Sequence, residues 1–194
     1  MKIAIIGTGF IGGIIGGALA RSGNEVTFGA REPESAVDVA TATGAAVAAI
    51  PDAISSAEVV ILAIPGSAVE SVASESGDAL ASKLVIDATN KMGAEVSNSR
   101  AALPAGVRYA RAFNTLGGEN MADPEFAGGR ADMFFSAPEA DRATVEAVIE
   151  GVGLRPVFVG EDEEELVDSL FKLWIALAVK QGRGRRLAFR LLER

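Results

Sequence analysis

Six residues near the amino terminus, Gly7-Thr8-Gly9-Phe10-Ile11-Gly12, have the spacing G-x-G-x-x-G. They lie between a continuous β-branched run, Ile3 to Ile6, and a stretch from about Ile11 to Arg21 that reads as a helix. A turn that opens a helix leaves backbone N–H groups unpaired, and the helix dipole favours an anion beside them. Gly7 permits the tight turn, Gly9 lets a pyrophosphate approach the backbone, and Gly12 lets the helix pack on the strand. The implied chemistry is the holding of a dinucleotide. Gly16-Gly17, one turn on, reads as a close helix–sheet contact and not as part of the phosphate loop.

The next apolar run, Glu25 to Phe28, ends in Gly29-Ala30-Arg31-Glu32-Pro33. Folds of this kind place a carboxylate near this point when they hold the free ribose hydroxyl of NAD. Here Ala30 takes that place and Arg31 follows it. A guanidinium pairs with phosphate in a bidentate way, whereas a carboxylate repels it. Arg31 is therefore read as the contact for the 2′-phosphate of NADP, with Thr8 and Ala30 leaving room. The competing reading is a solvated residue ahead of Pro33, which suits a first helical position with Glu32 as its cap. Glu32 also leaves a ribose contact, and hence NAD use, open.

No strong acid–base group stands ready for carbonyl chemistry. The chain has no histidine and no cysteine, so imidazole catalysis, disulfides and thiolate metal sites are excluded. Its one tyrosine, Tyr109, has Phe113 four residues on, so a Tyr-x-x-x-Lys pair is absent. Lys172 has the general position of a dehydrogenase's catalytic lysine, but Ala176 stands where a partnering amide would help, and the lysine reads as a solvated residue beside an apolar stripe. Accordingly no catalytic residue and no metal ligand is assigned. Hydride exchange between a nicotinamide and a flavin-like ring needs neither, because the cofactors carry the chemistry and the protein aligns them.

Positioning these residues requires a layered α/β fold. Apolar strand-like runs at 3–6, 25–29, 46–48, 59–64 and 84–88 alternate with helical stretches at 11–21, 67–80 and one opening at Pro33. A looser pattern follows, with strands at 107–112, 132–136 and 155–159 and a helix over 139–150. A long helix over about 162–180 carries Leu166, Val167, Leu170, Leu173, Trp174, Leu177 and Ala178 at helical spacing. The expectation is a Rossmann-like, doubly wound, mostly parallel sheet in a single domain over 1–194, with 162–194 a packed C-terminal helical extension. The 194 residues, 49% hydrophobic and 23% charged, suffice for one such core. A formal net charge of -8 argues against nucleic-acid binding. No secretory signal and no membrane span is read, so a cytoplasmic location is expected.

With the glycine loop, the segments TFGAR (27–31), VVILAIPGSAV (59–69), VIDATN (85–90) and RAFNTLGGENM (111–121) assembled, the chain resembles the NADP oxidoreductases dependent on the deazaflavin coenzyme F-420. The terminal LFKLWIALAVKQGRGRRLAFRLL (170–192) is similar to the end of the small members, so the likeness spans nearly the whole chain. The resemblance implies NADP(H) along the carboxyl ends of the strands and a second redox partner, F-420 or FMN, stacked near the nicotinamide. By resemblance, Thr8 and the 7–12 backbone hold the pyrophosphate, and Ala30 with Arg31 the 2′-phosphate. Ile64 and Pro65 border the path to the nicotinamide, Thr89 and Asn90 lie near its ribose, and Asn114 and Thr115 line the redox cleft. Two positions depart from the family pattern: Ala30 where a serine is common, and Lys91 where a proline is common.

Two charge runs have plainer readings. Glu161-Asp162-Glu163-Glu164-Glu165 complements the positive end of the long helix. Arg183, Arg185, Arg186, Arg190 and Arg194 read as a solvated or acid-paired terminus, with an anion site for an acidic cofactor tail as the sharper alternative. The function expected is hydride transfer between NADP(H) and a deazaflavin or flavin-type small-molecule acceptor. The alternatives are an NADPH-sensing module without turnover and a soluble reductase component of a metal-reducing electron-transfer system. A homodimer is expected if Leu170, Trp174 and Leu177 face a partner.

Overall fold

The computed structural model describes residues 1–90 and 98–194. The chain runs β1 (Lys2–Ile6), α1 (Phe10–Arg21), β2 (Glu25–Ala30), α2 (Val37–Thr43), β3 (Ala46–Ala49), α3 (Ile50–Ser56), β4 (Val59–Leu62), α4 (Val69–Leu80) and β5 (Leu84–Asp87). It continues with β6 (Arg108–Arg111), α5 (Gly118–Ala122), β7 (Glu125–Phe126), β8 (Gly129–Arg130), β9 (Asp132–Ser136), α6 (Arg142–Gly151), β10 (Arg155–Gly160) and α7 (Glu164–Ile175). Eight strands form one sheet in the order β10-β9-β6-β5-β4-β1-β2-β3, and β7 and β8 form a separate hairpin. Strands β1 to β6 are parallel; β9 meets β6 antiparallel, and β10 runs parallel to β9. The mostly parallel, doubly wound sheet expected from the strand–helix alternation is thus present.

The continuous apolar runs become strands buried on both faces, as parallel sheets require. Successive residues alternate between two cores. Ile3, Ile5, Phe28, Ile61 and Ile86 pack with Ile15 and Leu19 of α1 and with Phe171 and Trp174 of α7. Ala4, Ile6, Val60, Leu62 and Val85 pack on the other face with Ala53 and Ile54 of α3 and Val69 and Val72 of α4. Helix α1 contains four glycines, each costing helix stability by about 1 kcal/mol relative to alanine. Two of them are required by contact. A Cβ at Gly12 would collide with the Gly7 carbonyl oxygen, and one at Gly16 would lie 2.5 Å from the Phe28 ring. Gly16 is a packing glycine, as its place one turn beyond the loop suggested.

The C-terminal region differs from expectation in two ways. Helix α7 begins at Glu164, not 162, because Asp162 has φ 57 and Gly160 φ 128, conformations no right-handed helix admits. After a π-helical turn, Ala176–Lys180, residues 181–194 are not helical, since Gly182 and Gly184 at φ 66 and 83 break the helix. That tail is instead pinned by side chains. Trp174 Nε1 donates to Leu187 O at 2.7 Å, Asn120 Nδ2 to Arg185 O and Leu187 O at 2.9 Å, and Arg155 Nη2 to Leu191 O at 2.6 Å. Trp174 is therefore buried in the chain's own core and unavailable to a partner. Leu166 and Leu173, each 47% exposed, form the outward part of the stripe. No helix among the described residues is long and apolar enough to cross a membrane.

Candidate functional site

The order of the strands reverses between β1 and β4, since the chain proceeds outward through β2 and β3 before crossing to β4. In open α/β sheets such a switch leaves a crevice at the carboxyl ends of the flanking strands. The crevice here is a cleft of about 410 Å³ lined by Gly7, Thr8, Gly29, Ala30, Arg31, Glu32, Ser35, Ile50 and Ile64. Five of the sequence-assigned residues thus share one wall system. A larger hollow of about 520 Å³ lies on the other side of the loop, where Thr8, Gly9 and Phe10 meet Ile14, Arg21, Met121 and Val152. It follows the outer flank of α1 away from the strand ends, so the smaller cleft has the better position for a dinucleotide.

The loop's glycines divide by role. Gly7, at φ 114, gives its N–H to Gly29 O at 3.3 Å, and a Cβ there would meet Ala63 O at 2.5 Å. Gly9 caps α1 without a side-chain hydrogen bond, and a Cβ at that position would meet nothing within 4 Å. The first N–H groups of α1, from Phe10, Ile11 and Gly12, have no intrahelical acceptor. A helix start with free donors and open space over Gly9 fits a pyrophosphate. Phe10 is 63% exposed, with its ring against Gly118.

At the end of β2, Ala30 is buried and Arg31 is exposed on the cleft wall. Arg31 has no ion-pair partner among the described residues, although Glu32 is adjacent. Glu32 uses its carbonyl to accept from the Ser35 hydroxyl at 2.7 Å and precedes a 3-10 turn, Pro33–Ala36. An unpaired guanidinium beside a cleft that holds a buried alanine fits a ligand phosphate. Pro65 is exposed beyond β4 and does not line this cleft.

At the ends of β5 and β6 the structure places a buried ionic network that motif reading did not identify. Arg111 is completely buried, with Nε and Nη2 donating to Asp168 Oδ1 of α7 at 2.8 and 2.7 Å. Nη1 donates to Asp87 O at 3.0 Å and Thr89 O at 2.5 Å, and Nη2 also to Asn90 Oδ1 at 3.3 Å. Asp87, equally buried, accepts from Thr89 N, Ser99 N and the Tyr109 hydroxyl, each at 2.8 Å. Burial and the Asp87 charge push the Tyr109 phenol far above its ordinary pKa, with Arg111 opposing. The signal in the sequence was the placement of charged residues, Asp87 and Arg111, inside otherwise apolar runs.

Thr89, Asn114 and Thr115 are also buried here. The Thr89 hydroxyl pairs with that of Ser99 at 2.8 Å, Asn114 Nδ2 donates to Asp168 Oδ1 at 3.2 Å, and the Thr115 hydroxyl meets Met133 Sδ at 3.6 Å. Asn114 and Thr115 therefore support the site from within and do not line an open cleft. Phe113 between this asparagine and Arg111 has φ 61, an unusual conformation for a bulky residue. Asn90 alone of this group is partly exposed. Lys91, the second departure from the family pattern, lies outside the described residues. Lys172 is exposed, as the solvated reading had it, and Arg185 is acid-paired, its Nε donating to Glu119 at 2.7 Å.

Residues 2–91 match the family "NADP oxidoreductase coenzyme F420-dependent". The matched portion contains the glycine loop, Arg31 and the DATN segment, and over it the resemblance read from the sequence is borne out. This is a family of NAD(P)-linked oxidoreductases. Among solved structures, a protein from Arthrobacter sp. FB24 assigned as an F420-dependent NADP-reductase is 24% identical, with TM-score 0.82 and full coverage of both chains. A Sinorhizobium meliloti protein of unassigned function is 23% identical, with TM-score 0.72, covering 100% of this chain and 96% of that one. An imine reductase from Streptomyces aurantiacus is 24% identical, with TM-score 0.74, covering 91% of this chain and 61% of that one. These likenesses establish the fold. No curated protein matches the chain.

Proposed function

We propose that the protein is an NADP(H)-linked oxidoreductase that exchanges hydride with a deazaflavin acceptor of the F-420 type. The observation that carries the reading is the unpaired Arg31 on the wall of a cleft formed by a G-x-G-x-x-G helix start. The backbone of 7–12 would hold the pyrophosphate, Arg31 beside Ala30 the 2′-phosphate, and Ile64 the adenosine side of the path. Asn90 would meet the nicotinamide ribose, with Thr89, Asn114 and Thr115 fixed behind it. When bound, NADPH supplies a hydride at its nicotinamide ring. The chain's own part is alignment and exclusion of water, which suits a site whose charges are mutually paired and buried.

F-420 is favoured over FMN because the family match names it. Mixing the protein with NADPH and F-420, and in a parallel arm FMN, and following NADPH absorbance tests the reading. Oxidation with F-420 supports it; none with either acceptor, despite NADPH binding, would leave an NADPH-binding module. The family match favours neither that module nor a metal-reducing partner chain.

A homodimer belongs to the same reading, with different contacts from those expected at the outset. Leu166, Leu170, Leu173 and Leu177 are spaced four, three and four apart along α7 and its π turn, beside the buried stripe. That spacing makes a helix–helix seam. Acidic residues 161–165 at one end and Lys172, Lys180 and Arg183 toward the other make an antiparallel pairing of two copies complementary in charge.

A further inference from the structure

Arg111 has five N–H donors and no acceptor, and the structure engages all five: two on Asp168, and one each on Asp87 O, Thr89 O and the side-chain oxygen of Asn90. Because a guanidinium only donates, the oxygen of the Asn90 amide must face it. The Asn90 NH2 group is then turned away from the network, and it has no acceptor among the described residues. Asn90 is the one partly exposed member of the group, at the carboxyl end of β5 beside the β4 end that carries Ile64. We infer that Arg111, held by Asp168 of α7, is a positioning residue that orients the Asn90 amide so that its two N–H donors face the nicotinamide half of the bound dinucleotide.

The inference rests on the proposed NADP(H) site and deepens it. It assigns recognition of acceptor atoms, such as a ribose oxygen or the carboxamide carbonyl, to Asn90. It also explains the investment in a buried arginine. A buried ion pair contributes little net stability compared with apolar packing, and its best-attested use is to fix a specific arrangement. Here the arrangement joins three separate parts of the chain: Asp87–Asn90, Arg111 and α7. The carbonyl of Thr89 and the amide of Asn90 are tied to the same guanidinium, so the backbone leaving β5 and the side chain are set together. Helix α7 is thereby tied through Arg111 to the carboxyl end of β5.

The test separates the two halves of the ligand. NADPH carries both halves, and adenosine 2′,5′-diphosphate carries only the adenosine half. Asn90→Asp keeps the contact to Arg111 but replaces the outward donors with an acceptor, and Asn90→Leu removes both. Each is expected to bind NADPH about tenfold more weakly, as for loss of one hydrogen bond, while binding adenosine 2′,5′-diphosphate within about twofold of wild type. Asp168→Asn removes one of two buried carboxylates, and the Asn90→Asp/Asp168→Asn double variant restores the network's charge without restoring the outward donor. The double variant should regain melting temperature relative to Asp168→Asn yet still bind NADPH weakly, a split that a merely structural role would not give. Equal loss of both ligands in the Asn90 variants, or recovery of NADPH affinity in the double variant, overturns the inference. Normal binding of adenosine 2′,5′-diphosphate by the wild type with those outcomes would leave the dinucleotide site standing. Binding of neither ligand by the wild type would remove both.

Discussion

Tyr109 is the only tyrosine in the chain, is 8% exposed, and donates its hydroxyl to the buried Asp87 carboxylate at 2.8 Å. Burial first, and then the Asp87 charge, raise its folded pKa above the unfolded value of about 10. A group with a raised folded pKa contributes stability that is complete below the unfolded pKa and is lost as pH rises beyond it. Above about pH 10 the unfolded chain releases this proton and the folded chain keeps it, so stability falls by about 1.4 kcal/mol per pH unit. By about pH 11.5 the loss amounts to about 2 kcal/mol. Tyr109→Phe removes the titrating group at a cost of about 1 kcal/mol for the hydrogen bond at neutral pH. Asp87 Oδ2 still accepts from Ser99 N in that variant. The wild type should therefore be the more stable protein at pH 8 and the less stable one at about pH 11.5, with the curves crossing near pH 10.7. Urea unfolding followed by the fluorescence of Trp174, the sole tryptophan, gives the stabilities, and ultraviolet absorbance of tyrosinate reports Tyr109 alone. Every other ionisable residue is common to the two proteins, so the difference between their stability curves isolates the phenol. Tyrosinate formation near pH 10 in a chain that is still folded would show that neither burial nor Asp87 holds the Tyr109 proton, as would a stability difference independent of pH.

Other expectations concern the cleft and the surface of α7. Arg31→Ala should weaken NADPH binding about 10- to 150-fold, as for one charge-assisted contact, with NADH within about twofold; titration calorimetry with both nucleotides checks it. Gly12→Ala, whose new Cβ would collide with the Gly7 carbonyl, should lose about 3 kcal/mol of stability in urea unfolding, the upper end of the overpacking range because the obstacle is backbone. Gly9→Ala meets no protein atom, so it should lose about 1 kcal/mol or less in the same assay but bind NADPH at least about tenfold more weakly. Leu166→Glu with Leu173→Glu should convert a dimer to a monomer in light scattering without lowering the melting temperature of the isolated chain, because both side chains are half exposed.

The parts of this fold that could be read from the sequence are those where local chemistry and periodicity agree. The run Ile3–Ile6, the glycine turn and the following helix specify one another within twenty residues, and Gly29-Ala30-Arg31 falls one βα unit later. Helix α3 escaped notice because it is seven residues long with a proline in its first turn, a tolerated position that reads as a breaker. The hairpin of β7 and β8 is only two residues per strand. The end of α7 and the course of the tail depend on positive φ at Asp162, Gly182 and Gly184 and on Trp174 and Asn120 reaching distant carbonyls. The buried network was hidden for the same reason of distance: Arg111 lies 24 residues from Asp87 and 57 from Asp168. The burial of Asn114 and Thr115 likewise depends on distant partners, Asp168 of α7 for the first and Met133 of β9 for the second, which no local pattern records.

Titration of the wild-type protein with NADPH and NADH tests whether the cleft between the glycine loop and Arg31 holds NADP(H), without reference to any acceptor. One NADPH per chain should bind saturably, at least about tenfold tighter than NADH because only NADPH offers Arg31 a 2′-phosphate. Equal affinity for the two nucleotides would contradict the role of Arg31, and binding of neither would contradict the site itself.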